Sequence, residues 1–220
     1  MMITVIVTAG MMTTGDSDPI PDDKAPSRLS RDVFFSTGNL KKIISHLYFR
    51  NIMIHTATTK DIPALVSLLN SAYRGESSKK GWTTEAEMIS GSIRTDEKQL
   101  KELMERPGAV FLKSVNENDG IEGCVYLDKR DGKLYLGMLS VNPDRQAKGT
   151  GRKIMAAAED HARKEGCTAI FMRVISLRHE LIAWYEKQGY YMTGETQPFE
   201  NSPYGTAVLP FEFLVMEKRL

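Results

Sequence analysis

The stretch Leu139-Ser140-Val141-Asn142-Pro143-Asp144-Arg145-Gln146-Ala147-Lys148-Gly149-Thr150-Gly151-Arg152 decides the reading of this chain. An apolar, strand-like segment ends near Pro143, passes through a basic turn with two glycines, and enters a helical pattern near Thr150. Such a turn can aim several unpaired backbone N–H groups at one point, with the positive end of the helix behind them. A phosphate or pyrophosphate suits that place. Glycine allows close approach and tolerates positive φ, and Arg145, Lys148, Arg152 and Lys153 add long-range attraction.

Downstream, residues Thr150 to Lys164 place Ile154, Met155, Ala158 and Ala162 on one helical face. That helix stops near Gly166 and leads to a strand from Ala169 to Val174. A second helix is predicted over Arg178 to Gln188, ended by Gly189. Tyr190 to Thr196 and Phe211 to Glu217 read as strands, joined by a loop containing Pro198, Asn201, Pro203 and Gly205.

Upstream, strands are predicted at Ala109 to Val115, Ile121 to Leu127 and Leu134 to Val141. Asn116 to Gly120 and Asp128 to Gly132 separate them with hairpin-turn signals. Before these lie a short strand, Ile52 to Ala57, and a helix through Ile62, Leu65, Val66, Leu68, Leu69 and Tyr73, capped by Thr59 or Asp61. Gly75 to Thr83 interrupts the periodicity, and a long helical region, broken near Gly91 or Thr95, continues to Glu105. The order β-α-α-β-β-β-α-β-α-β-β indicates an α/β sheet with hairpins.

The 220 residues are 41% hydrophobic, enough for a sizeable core, and the formal net charge is +1. That balance argues against a nucleic-acid partner, which would call for an extended basic face. Cys124 and Cys167 lack metal-ligand or redox spacing and read as buried thiols; the histidines form no ligand cluster, so no metal is expected. Met1 to Ala9 is apolar but too short to span a bilayer and lacks a positive leader. No membrane partner and a cytoplasmic location are therefore expected. Residues 1–50 read as an N-terminal extension, with a mobile connector from Gly15 to Arg31, and residues 51–220 as the functional domain. The final strands offer an open sheet margin that could form a homodimer edge.

A P-loop nucleotide enzyme would follow its second glycine with Lys and then Ser or Thr, whereas Gly151 is followed by Arg152 and Lys153. A dinucleotide-binding turn needs three spaced glycines after an early strand, and here the triplet is incomplete. Gln146-Ala147-Lys148-Gly149-Thr150-Gly151 instead resembles the Gln/Arg-x-x-Gly-x-Gly/Ala signature of the GCN5-related N-acetyltransferase (GNAT) superfamily. Ala183-Trp184-Tyr185-Glu186-Lys187-Gln188-Gly189-Tyr190 resembles that superfamily's Leu-Tyr-Glu-Lys-x-Gly-Phe segment. The likeness covers about residues 52–219.

The resemblance implies a mixed central sheet flanked by helices and splayed between its fourth and fifth strands, with acetyl-CoA between them as acyl donor. Gln146, Ala147, Lys148, Gly149, Thr150, Gly151 and Arg152 would wrap its pyrophosphate, chiefly through backbone N–H groups. Leu139 and Val141 would pair with the pantetheine arm as a neighbouring strand would. Tyr185 would protonate the departing thiolate. Many relatives carry Asn seven residues before that Tyr; this chain has Arg178, which could reach a coenzyme phosphate or cap the sheet surface.

The implied reaction is direct attack of a primary amine on the thioester in a ternary complex, without metal. Glu76, after the first helix, and Glu122, early on a strand, are candidate bases. Arg74, Trp82, Arg173 and Glu195 are candidate walls of the acceptor pocket, and the loop Gln197 to Gly205 could close over it. These polar residues suit a small polar amine better than a protein amine. The alternative is a noncatalytic acyl-CoA-binding sensor or interaction domain.

Overall fold

The computed structural model describes residues 53–81, 84–146 and 149–220. The expected extension over residues 1–50 lies outside the described residues, as do Trp82, Ala147 and Lys148.

Seven strands form one mixed sheet in the order β1-β3-β4-β5-β6-β9-β7. They are β1 (Met53–Thr56), β3 (Ala109–Val115), β4 (Ile121–Arg130), β5 (Lys133–Val141), β6 (Ala169–Ile175), β7 (Tyr191–Pro198) and β9 (Glu212–Arg219). The helices are α1 (Ile62–Tyr73), α2 (Gly75–Ser78), α3 (Glu97–Met104), α4 (Thr150–Lys164) and α5 (His179–Glu186).

Both faces of the sheet are covered, and β4 shows why. Gly123 to Asp128 are all buried, since successive side chains of a strand point to opposite faces. Cys124 and Tyr126 pack with Phe111 and with Leu65, Leu69 and Leu100 of α1 and α3. Val125 and Leu127 pack on the other side, with Ile154, Met155 and Ala158 of α4 and Ile182 of α5. Unbroken apolar runs, rather than strict alternation, are what a doubly covered sheet requires.

Among the described residues the one parallel pair of strands opens the site. β5 and β6 need a crossover to run parallel, and α4 supplies it. Their pairing is limited to Leu134↔Ile170 and Tyr135↔Phe171, although β5 continues to Val141 and β6 to Ile175. Beyond Tyr135 the two strands part, so the fourth and fifth strands in chain order within the large sheet splay as the resemblance implies. The register of β5 against β4 also slips between Cys124↔Ser140 and Tyr126↔Gly137. Met138, inside that slip, sits at φ 52, a conformation few non-glycine residues adopt. The bulge turns the backbone of β5 where its edge has been released.

Three differences between the sequence-based reading and the structure stand out, besides the short helix Gly75–Ser78 in the segment read as an interruption. The helical region expected to reach Glu105 is helical only as α3; Glu85 to Met88 instead form a turn, closed by Met88 N–H donating to the Glu85 carbonyl (3.0 Å). Ile89–Ser90 (β2) then pairs antiparallel with Thr206–Ala207 (β8), inside a segment expected to be plain loop. Helical propensity over Glu85-Ala86-Glu87-Met88 is overridden by this partner from far along the chain. The third difference is the second hairpin: its strands run on to Arg130 and Lys133, leaving only Asp131 and Gly132 in the turn, at φ 49 and φ 75. Two residues at positive φ match the twist of a two-residue hairpin.

Candidate functional site

A cavity of about 70 Å³ lies where β5 and β6 separate. Met138 and Leu139 of the bulge, Arg173 of β6 and Tyr185 of α5 line it. Tyr73 of α1, Glu85 and Arg178 complete the polar part of its wall.

Tyr185 is 6% exposed and packs edge-on against Trp184, at 5.1 Å between ring centres, and Tyr190, at 5.9 Å. Burial, then the neighbouring phenols of Tyr73 and Tyr190, push its pKa above the ordinary tyrosine value. Its hydroxyl therefore stays protonated at neutral pH, as an acid must. Tyr73 is also held neutral by burial, with the Glu85 carboxylate adding to the effect. Its hydroxyl donates to the Leu139 carbonyl at 3.1 Å, so a side chain satisfies a backbone acceptor at the bulge.

The turn after β5 is pinned from within. Gln146 donates from Nε2 to the Val141 carbonyl at 3.0 Å, folding the loop back onto the strand it left. Gly149 then occupies the N-cap of α4 at φ 82, where only glycine sits without strain. No side chain caps this helix and its first turn holds no acidic residue. Arg152 and Lys153 stand there instead, against the preference of a helix start for negative charge. Burial also holds Lys153 below the ordinary lysine range. Uncapped amides in a basic first turn, led by a glycine with no side chain to fill the approach, fit a phosphate ligand.

The candidate bases stand elsewhere. Glu76 lies on the surface of α2, its side chain 88% exposed and paired with Lys79 at 2.7 Å. Glu122 is more buried, but it accepts from Asn116 Nδ2 at 3.2 Å and lies 3.5 Å from Arg145 Nε. Neither lines the cavity. Glu85 does line it, and sequence reasoning missed it because it was absorbed into a supposed helix. The signal came from tertiary contacts, not from local pattern. The Glu85 N–H donates to the Tyr73 carbonyl at 3.0 Å, and its carboxylate lies 2.5 Å from Arg74 Nη1 and 3.7 Å from Arg94 Nε.

Among the candidate acceptor residues, Arg74 is 3% exposed and touches Glu85 and the carbonyls of Tyr73 (3.4 Å) and Tyr204 (3.5 Å). Arg173 lies on the cavity wall and donates from Nη1 to Gln197 Oε1 at 2.9 Å. Glu195 is exposed on β7 and does not line the cavity. The loop from Gln197 to Gly205 is tied down by Tyr204, whose hydroxyl donates to the Asp96 carboxylate at 3.0 Å. Arg178 is buried at the start of α5, bonded to Glu180 Oε1 and to the Thr84 carbonyl, each at 2.6 Å. It straps the segment after α2 to the open end of β6.

A family model described as the Acetyltransferase (GNAT) family matches residues 63–190, more than half of the chain. The chain belongs to this family. Membership implies use of acetyl-CoA as cosubstrate. The GNAT protein is 26% identical over 86 residues to acetyltransferase Atu2258 of Agrobacterium fabrum, covering 39% of this chain and 61% of that protein. The match thus spans less than two thirds of that relative's length. Among solved structures, the ribosomal-protein-alanine N-acetyltransferase of Brucella melitensis shares the fold at TM-score 0.58 and 21% identity, over 76% of this chain and 99% of that one. The ribosomal-protein-S18-alanine N-acetyltransferase of Escherichia coli does so at TM-score 0.57 and 15% identity, over 76% and 93%. The PaiA N-acetyltransferase of Thermoplasma acidophilum, solved with coenzyme A, aligns at TM-score 0.53 and 16% identity, over 77% and 99%.

In the described residues no helix is long and apolar enough to cross a membrane, and no group of three or more His, Cys, Asp or Glu could hold a metal ion.

Proposed function

We propose that the protein transfers an acetyl group from acetyl-CoA to the primary amine of a polar small molecule in the cytoplasm, by direct attack in a ternary complex. The observation that carries this reading is the convergence of Tyr185 and the bulged edge of β5 on one cavity between the parted strands. The uncapped start of α4 would hold the pyrophosphate, with the Gly149, Thr150, Gly151 and Arg152 amides as donors. The edge of β5 near Leu139 and Val141 would guide the pantetheine arm toward Tyr185.

Protons balance in the direct mechanism. The acceptor arrives as an ammonium and loses one proton to become a nucleophile. Nitrogen attacks the thioester carbon, the C–S bond breaks, and the new amide nitrogen loses a second proton. One proton returns to the thiolate through Tyr185 and one leaves to solvent. The two ribosomal-protein N-acetyltransferases share the fold at low identity, which brings no acceptor to this chain.

Tyr185→Phe tests the assignment. Free thiol released from acetyl-CoA in the presence of an amine panel should fall about 100-fold or more in kcat, with coenzyme affinity nearly unchanged. An unaltered kcat would remove Tyr185 from the chemistry, and binding of acetyl-CoA without acceptor-dependent thiol release would favour a sensor.

A further inference from the structure

Three ionised side chains line the cavity: Glu85, Arg173 and Arg178. Two of them are already matched by opposite charge inside the protein. Glu85 is held by Arg74 at 2.5 Å, with Arg94 Nε 3.7 Å away, and Arg178 is held by Glu180 at 2.6 Å. Arg173 differs. Its hydrogen bond goes to a neutral amide oxygen, that of Gln197, and among the described residues it forms no ion pair.

Its position is nonetheless restrained. The guanidinium lies 5.3 Å from the centre of the Tyr135 ring and 5.9 Å from that of Phe213, and Nη1 is spent on Gln197. Aromatic faces attract a guanidinium and limit its rotamers, and the planar fork keeps further donors for a ligand. A cation without a counter-ion, fixed on the wall of a reaction cavity, is a recognition element for an anion. In the proposed reading the coenzyme's pyrophosphate sits at the start of α4, away from this wall, so an anion held at Arg173 would belong to the other substrate.

We infer that the acceptor is a compound of the amino-acid type, a primary amine with a carboxylate a few bonds away, whose carboxylate is bound by Arg173. This rests on the acetyl-transfer reading and narrows it. Arg173 supplies a bidentate charge-assisted contact that fits a carboxylate plane. A polycation such as a polyamine or an aminoglycoside would bring a second positive charge toward Arg173 and bind poorly.

The test uses the full chain, acetyl-CoA and three acceptor sets: the free amino acids, the same amino acids as carboxamides, and spermidine with kanamycin. Free acids should exceed their carboxamides by about 10- to 100-fold in kcat/KM, the range of one charge-assisted contact. Arg173→Gln should erase that preference by raising KM for the acids, with KM for acetyl-CoA unmoved. Arg173→Lys, which keeps the charge but not the fork, should restore part of it. Because Arg173 is exposed, its variants should melt like the parent, so a lost preference reports recognition. Carboxamides or spermidine used better than the acids would overturn the acceptor proposal alone. So would an Arg173→Gln variant that keeps the acid preference and raises KM for acetyl-CoA. No thiol release with any acceptor set would sink the acetyl-transfer reading and this proposal together.

Discussion

Glu85→Gln should destabilise the protein far more than loss of an ordinary surface ion pair. Its partner Arg74 is 3% exposed, and the Glu85 side chain is 13% exposed. Among the described residues the Arg74 Nε already lacks a hydrogen-bond partner, and the other hydrogen bonds of Arg74 there are two long ones to the Tyr73 and Tyr204 carbonyls. Neutralising Glu85 therefore leaves a buried cation without its main compensation. Breaking such a pair costs about 3–5 kcal/mol, against about 0–1 kcal/mol for an exposed pair. In a domain of this size that corresponds to a fall in Tm of about 6–20 °C. Urea and thermal unfolding followed by circular dichroism would measure it. The second arm is Arg74→Met with Glu85→Gln, which removes both charges and should recover most of the loss, since an apolar replacement of a buried pair is often close to neutral. A Glu85→Gln variant within about 1 kcal/mol of the parent, or a double variant as unstable as the sum of the singles, would refute the reasoning.

Two further outcomes are expected. Gly205 sits at φ 149, and a Cβ there would collide with Ile89 Cγ2 and stand 2.8 Å from the Ser90 carbonyl oxygen. Gly205→Ala should thus cost about 1–3 kcal/mol in urea melts and raise acceptor KM, by prising β8 off β2 next to Arg74, while KM for acetyl-CoA holds. The third outcome concerns acid. The hydrogen bond from Lys133, at 2.5 Å, holds the Glu217 carboxyl below its ordinary range. A carboxylate depressed in the folded state stabilises above its unfolded pKa, and that stability is lost as pH falls through the folded pKa. Glu217→Gln should therefore flatten the decline of Tm below about pH 4.5, and an unchanged acid limb would show that the pair adds nothing.

The doubly covered sheet was legible because its evidence is local: apolar runs in Ala109 to Val141, paired turn signals, and the 3.6-residue stripe of Ile154, Met155, Ala158 and Ala162. The glycine-led, uncapped start of α4 was legible for the same reason, since Gly149 and the absence of an acidic residue in the turn behind it are contiguous. Tyr185 was legible through its neighbours in sequence. Glu85 was not: its approach to the cavity depends on Arg74, on the Tyr73 carbonyl, and on the pairing of Ile89 with Ala207. No window of sequence contains those partners together. Glu76 and Glu122 looked equally good in sequence because a carboxylate's burial and counter-ion come from packing.

By itself the chain order determined the kind of sheet, the crossover helix and the glycine-led, basic start of that helix, since hydrophobic period, turn chemistry and helix-start chemistry act over a few residues. Only the tertiary structure decided where β5 and β6 part, which carboxylate reaches the gap, and that Arg173 alone of its charged wall lacks an opposite charge among the described residues. Those outcomes depend on side chains distant in sequence meeting in one place, where the pairing of charges, not their number, sets the energy.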